Sequence, residues 1–283
     1  MSLSLSKLGF GVSGAHGTPL VARQATLDLI TAAYAGGVSV FDTAPAYGNG
    51  EAERRLGAAV REIGRAALVI STKVGLSSSG LARRTRDFSP DAVEASVRAS
   101  LERLGVEGVD LLFLHGAGAE ELTPALLNRL DALARAGAFA VLGAAGRGAE
   151  LDAPIAAARF GAIMAPVHPF LGPAETARLA RARDAGKCVF AIETAGDAPP
   201  ALRTPRRKSD LYAMTRAIRA RAAGRAGRGR TTVPDGLAFA VHTARAECSL
   251  FTTTRRDHLD ACIATAGQDG RGAAGPRGRM DAG

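Results

Sequence analysis

Residues 41–57 read FDTAPAYGNGEAERRLG. An apolar run closes in Asp42, a proline-containing loop carries Tyr47, and two glycines form a turn into the next helix. The segment therefore reads as strand, loop and helix in that order. The same order recurs on both sides of it. Strand candidates are LGFGV (8–12), VSVFD (38–42), ALVISTK (67–73), VDLLFLH (109–115), FAVLGAA (139–145), FGAIMAPV (160–167), KCVFAIE (187–193) and CSLFTT (248–253). Runs that are apolar throughout suit strands of a parallel sheet buried on both faces. Helix signals lie between them. Ser89-Pro90 sets a capping residue before a proline at the first helical position, and Val93, Val97, Leu101 and Leu104 follow on one stripe. Thr123-Pro124 repeats the device ahead of Leu126, Leu127, Leu130 and Leu133. Eight such strand–helix units over about 265 residues predict a single α/β domain, a (β/α)8 TIM barrel spanning 1–266. A doubly wound open sheet shares this alternation and is the competing arrangement. The tail GQDGRGAAGPRGRMDAG (267–283) holds six glycines without apolar periodicity and is expected to be disordered.

Composition narrows the function classes. Aromatic residues make up 5% of the 283, so the core has to be built from Ala, Leu, Val and Ile. The start, MSLSLSKLGFGVSG, lacks the basic opening and unbroken apolar run of a signal peptide. No stretch approaches the roughly 18–20 apolar residues that span a bilayer. Cys188, Cys248 and Cys262 are scattered and lack metal-ligand spacing. A soluble protein of a reducing cytoplasm, with neither membrane nor metal, is expected. The net charge of +9 invites a nucleic-acid partner, but residues 202–230 alone carry ten Lys or Arg against one acid, Asp210. The remaining 26 basic and 26 acidic residues balance. That segment has Tyr212 as its single aromatic, so it lacks the stacking residues of a single-strand binder. It reads as a solvated Ala/Arg/Gly-rich helix and loop that can attract an anionic ligand.

The chemistry lies at three successive strand ends: Asp42, Lys73 and His115, with Tyr47 on the loop above the second strand. In a βα barrel these ends converge on the face that carries active sites. A tyrosine hydroxyl titrates near 10 and is a poor acid at neutral pH. An ammonium beside it favours the phenolate, and a carboxylate against that ammonium fixes it and offsets its burial. A neutral imidazole donates a hydrogen bond to an oxygen on which charge develops. The set can give a proton to a carbonyl oxygen or take one from an alcohol. With no nucleophile and no metal cage, it points to hydride from a cofactor.

These residues and their surroundings resemble the aldo-keto reductase superfamily. The motifs are LGFG (8–11), FDTAPAYGNGEAERRLG (41–57), ISTKVG (70–75) and SLERLGVEGVDLLFLH (100–115); beyond residue 115 the match weakens. The resemblance implies a (β/α)8 barrel that uses NADPH, less often NADH, to interconvert a carbonyl (aldehyde, ketone or sugar) and an alcohol. It assigns Tyr47 as proton donor, Lys73 as its modulator, Asp42 as partner of Lys73 and His115 as substrate orienter. It also places Thr253, Arg255 and Arg256, in TTTRRDHLD (252–260), where the family holds the cofactor's 2′-phosphate, just after the eighth strand and at a helix N-terminus.

The chain departs from the family pattern on the nicotinamide side. A Ser-Asn pair usually follows the fifth strand; here Ala145 and Gly146 stand there. The sixth strand offers Met164 or Ala165 for the usual glutamine, and Ile192 stands where an aromatic usually stacks. Each loss removes a polar contact of about 1 kcal/mol. They motivate an alternative: a barrel with lost or altered cofactor binding, acting as a non-redox proton-transfer enzyme or a ligand-sensing protein. His16 could line the substrate mouth and His168 could face the pocket. The substrate and the oligomeric state are left open.

Overall fold

In the computed structural model, residues 2–79, 83–199, 201–202, 204–224, 227–267 and 279–281 are described. Eight parallel strands are β1 (Leu8–Gly11), β2 (Val40–Asp42), β3 (Val69–Val74), β4 (Val109–His115), β5 (Phe139–Ala145), β6 (Ala162–Pro166), β7 (Cys188–Ile192) and β8 (Cys248–Phe251). They close into a barrel in the order β7-β8-β1-β2-β3-β4-β5-β6, which excludes the open sheet. The period-2 alternation of strands explains why the sequence runs are apolar throughout. Val40, Val69, Leu111, Phe113, Val141, Met164, Phe190 and Leu250 form one cluster to which no helix contributes, so they fill the interior. Their neighbours Phe41, Ile70, Leu112, Leu114, Leu142, Ile163 and Val189 join Ile30, Leu56, Val97, Leu104 and Leu126 from the surrounding helices. Both faces of each strand are dry.

The helices are α1 (Arg23–Ala35), α2 (Glu51–Ile63), α3 (Pro90–Leu104), α4 (Pro124–Arg135), α5 (Asp152–Ala156), α6 (Pro173–Asp184), α7 (Lys208–Ala222), α8 (Val233–Ala238) and α9 (Arg256–Gly267). Proline begins α3 and α4 as expected, and the Thr123 hydroxyl accepts a bond from the Leu126 N–H at 3.2 Å. α3 stops at Gly105, whose left-handed backbone (φ 69°) a side chain would resist.

Three additions surround the mouth or the ends. The strands Leu76–Ser79 and Arg83–Arg86 form an antiparallel ribbon after β3. An excursion after β7 carries α7. Its neck is pinned by a bridge between Gly196 and Arg230 and by Asp197, which accepts bonds from the N–H groups of Arg228 and Gly229. The arginine-rich segment thus lies beside the mouth, with the Tyr212 ring 3.1 Å from where a Cβ on Gly14 would stand. Of the glycine-rich tail, residues 268–278 and 282–283 lie outside the described residues, and Arg279–Asp281 pairs antiparallel with Ser2–Ser4. Among the described residues, no helix is long and apolar enough to cross a membrane.

Candidate active site

Strand parity decides which side chains reach the mouth. Counting in twos from the interior residues Val40, Val69 and Leu111 arrives at Asp42, Lys73 and His115. All three therefore face inward at the carboxyl ends of adjacent strands. Asp42 is 5% exposed and Lys73 is 2% exposed. The Lys73 ammonium donates to Asp42 Oδ1 at 2.6 Å, to Asp42 Oδ2 at 2.5 Å and to the Thr43 carbonyl at 2.9 Å. Ser71 donates to Asp42 Oδ1 at 2.7 Å. A buried ion pair is stable only when its donors and acceptors are occupied, and here they are. Burial, the largest influence on Lys73, pulls its pKa down. The Asp42 carboxylate, followed by Tyr47, outweighs burial and leaves the ammonium above its usual value.

Tyr47 comes to this pair through its loop. The Lys73 ammonium lies 5.2 Å from the centre of the Tyr47 ring, and the His115 ring stands edge-on to Tyr47 with centroids 6.4 Å apart. The loop is fixed from two directions. Ser78, on the ribbon after β3, donates to the Ala46 carbonyl at 2.7 Å. On the other side the chain at Gly48 touches that at Gly17 so closely that a Cβ on Gly48 would fall 1.8 Å from the Gly17 carbonyl oxygen. Glycine is required there by contact as well as by its φ of 66°.

The sequence reading missed a support beneath the site. Glu53, 0% exposed in α2, accepts from Thr72 at 2.7 Å and from Arg103 of α3 at 2.6 Å. Thr72 precedes Lys73, so the bond ties the lysine's strand to two helices. Nothing in the local pattern signals it, since Glu53 and Arg103 are fifty residues apart.

Across the mouth the chemistry changes. Ala145, Met164 and Ala165 are buried, and Ile192 is half-buried, with no polar side chain among them. A second missed feature lies above them. Arg147, two residues beyond β5, donates to Glu193, just beyond β7, at 2.6, 3.1 and 3.2 Å. The pair bridges the end of β6. Its carboxylate bonds are the main cause of the raised Arg147 pKa; burial opposes them, while the charges of Glu193 and Tyr47 add to the rise. His168 is buried beside this pair, and burial lowers its pKa.

At the phosphate-side residues, the Thr253 hydroxyl accepts from the Arg255 N–H at 3.1 Å, just before α9. The two arginines hold acids of their own helix: Arg255 bonds Asp257 at 3.0 Å and Arg256 bonds Asp260 at 2.9 Å. A phosphate there would have to displace Asp257. His16 does not line the substrate mouth. It is 0% exposed, set between the Thr26 hydroxyl at 3.1 Å and the Thr253 carbonyl at 2.9 Å. It serves instead as a clip between α1 and the loop after β8.

Among the described residues, no group of three or more His, Cys, Asp or Glu is placed to hold a metal ion. The donor set suits a dinucleotide at one end: hydroxyl, guanidinium and helix N-terminus at Thr253–Arg256 match a phosphate in charge and geometry. At the other end Arg147 is the polar group nearest the loop after β5.

A barrel with a buried carboxylate–ammonium pair, a phenol and an imidazole at one mouth defines a class of carbonyl-handling proteins. A sequence model described as the Aldo/keto reductase family matches residues 7–151, and the chain belongs to that family. It is 32% identical over 170 residues to a D-threo-aldose 1-dehydrogenase of Pseudomonas sp, a match covering 53% of this chain and 52% of that one. It is 30% identical over 126 residues to an NADH-specific methylglyoxal reductase of Escherichia coli strain K12, covering 40% and 39%. The chain thus spans about half or less of these relatives' own length. Among solved structures, an aldo-keto reductase of Pseudomonas aeruginosa superposes with a TM-score of 0.71 at 24% identity, covering 94% of this chain and 91% of that one. An aldo/keto reductase of Klebsiella pneumoniae in complex with NADP and acetate superposes with a TM-score of 0.67 at 17% identity, covering 93% and 86%. At these identities the superpositions establish the shared barrel.

Proposed function

We propose that the chain is an NAD(P)H-dependent oxidoreductase that interconverts a small-molecule carbonyl (an aldehyde, ketone or sugar) and its alcohol. The observation that carries this reading is the convergence of Asp42, Lys73, Tyr47 and His115 on one mouth of the barrel. The cofactor, when bound, supplies the hydride to the carbonyl carbon. Tyr47 gives its phenolic proton to the carbonyl oxygen, and the Lys73 ammonium stabilises the phenolate left behind. Asp42 holds Lys73 in place without leaving either charge unpaired. His115 donates a hydrogen bond to the same substrate oxygen, where negative charge builds up. In the alcohol-to-carbonyl direction the phenolate takes the proton back.

Thr253, Arg255 and Arg256 are the residues proposed to hold the adenosine phosphate, with NADPH preferred over NADH. The barrel is taken as one domain over 1–266. Replacing Tyr47 by Phe removes only the transferred proton. General acid–base groups contribute about 10²–10⁴-fold, so carbonyl reduction should fall by that order while cofactor affinity stays near the wild-type value. Turnover retained by Tyr47→Phe would overturn the assignment.

A second reading, a barrel with lost or altered cofactor binding, is favoured by one observation. The Arg147–Glu193 pair covers the end of β6, where the nicotinamide contacts of the family are absent. In that case the site would move protons without hydride, or sense a ligand. Fluorescence titration separates the two: a changed NADPH emission supports the oxidoreductase, and none at millimolar cofactor supports the second.

A further inference from the structure

We propose that Arg147 selects carbonyl substrates bearing a carboxylate, with Glu193 occupying its guanidinium until such a substrate arrives. The inference rests on the oxidoreductase reading and names the substrate class for that site. It starts from position. Ala145 ends β5 opposite His115, and its carbonyl accepts the Gly116 N–H at 2.7 Å. Arg147 stands two residues further on, so its backbone leaves the mouth next to the imidazole proposed to orient the substrate.

The guanidinium then reaches over β6 to Glu193, and the two groups share a cavity of about 140 Å³ with Ala165 and Pro166. Arginine's planar fork fits a carboxylate with two parallel bonds, a geometry any second carboxylate can copy. Exchange is cheap, because 60% of the Arg147 side chain and 32% of the Glu193 side chain are exposed, and exposed ion pairs hold weakly. Glu193 also has a left-handed backbone, with φ 52°, which a residue with a side chain adopts only under constraint from its surroundings. That conformation carries its carboxylate across the mouth.

The neighbouring charges do not compete for this role. Arg178 is bonded to Asp152, and Arg228 to Glu175. Arg86, on the ribbon side, is bonded to Glu121 and to the Gly116 carbonyl. The other acids near Arg147 are tethered as well: Glu150 accepts the Arg147 N–H, and Asp197 accepts the neck N–H groups of Arg228 and Gly229. Arg147 alone among these arginines also carries the influence of Tyr47.

The experiment pairs 4-oxobutanoate with pentanal, aldehydes of similar length that differ in the terminal carboxylate. Wild-type kcat/KM should favour 4-oxobutanoate by about tenfold or more, the range for a hydrogen bond between charged groups. Arg147→Met should bring the ratio near one, Arg147→Lys should restore part of it, and Glu193→Gln should lower the KM for 4-oxobutanoate. A ratio that Arg147→Met leaves unmoved overturns the proposal. Calorimetric titration of 4-oxobutanoate into wild type and Arg147→Met reads the contact without turnover. Arg147-dependent binding with no reduction of either aldehyde supports the carboxylate contact and overturns the oxidoreductase reading. Binding equal in the two proteins overturns the contact itself.

Discussion

Asp42 and Lys73 keep 5% and 2% of their surface in solvent, whereas Arg147 and Glu193, across the same mouth, keep 60% and 32% of their side chains there. Both are carboxylate–cation pairs, and both lie close to Tyr47. On the β2–β4 side the pair is sealed by Ser71 and the Thr43 carbonyl, so neither partner can leave without stranding a buried charge. On the β5–β8 side, Arg147 and Glu193, and likewise Arg255 and Asp257, can change partners with little penalty. A proton-transfer step gains from groups held in one geometry, while ligand selection gains from contacts that can be exchanged. The two sides of the mouth are built for these different tasks.

The sharpest way to break this contrast is Lys73→Met. It strands a buried carboxylate, which typically costs about 3–5 kcal/mol. Thermal unfolding should fall accordingly, and carbonyl reduction should be lost with it. If Lys73→Met melts within a degree of wild type, the sealed description of the β2–β4 side is wrong. Arg147→Met, by comparison, should leave the melting temperature almost unchanged.

Next in size is a pH effect at the seam between the two sides. The Thr253 carbonyl can only accept, so His16 Nε2 carries the proton and Nδ1 accepts from the Thr26 hydroxyl. Burial is the main force holding the His16 pKa down at about 4; the Thr253 carbonyl opposes it and Arg55 assists it. The unfolded chain binds this proton near 6.5, so stability is fully present above that value. It drains away as the pH falls from about 6.5 to about 4, then levels off once the folded protein is protonated as well. The total is about 3 kcal/mol, from 1.36 kcal/mol per pKa unit. Unfolding followed from pH 8 to pH 4 should show this slope in wild type and a shallower one in His16→Gln. Parallel slopes would place the acid sensitivity elsewhere.

Much of this architecture is legible in the chain, and unevenly so. VDLLFLH and FAVLGAA match β4 and β5 residue for residue, because both faces of those strands are buried and the apolar run marks the whole element. Asp42, Lys73 and His115 are legible for a related reason: each interrupts an apolar run at its last or next-to-last residue. Glu53–Arg103 and Arg147–Glu193 are invisible at that level. They join residues fifty and forty-six apart, and no periodicity encodes which charged residue on one loop meets which on another. His16 shows the converse failure. A histidine in a glycine-rich loop suggests an exposed ring, yet Thr26 and Thr253 enclose it through contacts the local sequence does not announce. The first half of the barrel is readable because its functional groups sit on strands. The second half places them on loops.

Removing the buried Glu53 carboxylate should have an intermediate effect. Glu53→Gln breaks the bond to Arg103 and weakens that to Thr72, for a loss of about 2 kcal/mol in unfolding free energy. The fall in turnover should be smaller than that of Lys73→Met, because the lysine's own partners remain. An equal fall in both variants would show that α2 and α3, rather than Asp42, set the position of Lys73.

The smallest effect is expected at the exposed end of the proposed cofactor site. Arg255 is bonded to Asp257 two residues on, and a phosphate would have to compete for the same guanidinium. Asp257→Asn removes the competing charge but keeps a similar shape. The affinity for NADPH should then rise by about two- to fivefold, in line with the weak hold of an exposed pair, and the affinity for NADH should stay where it is. Titration with both nucleotides reads the difference directly. A gain shared equally by NADPH and NADH would mean that Asp257 acts on the helix N-terminus and not on a 2′-phosphate. In that event Arg255 would join the exchangeable pairs of the β5–β8 side without a nucleotide to exchange for.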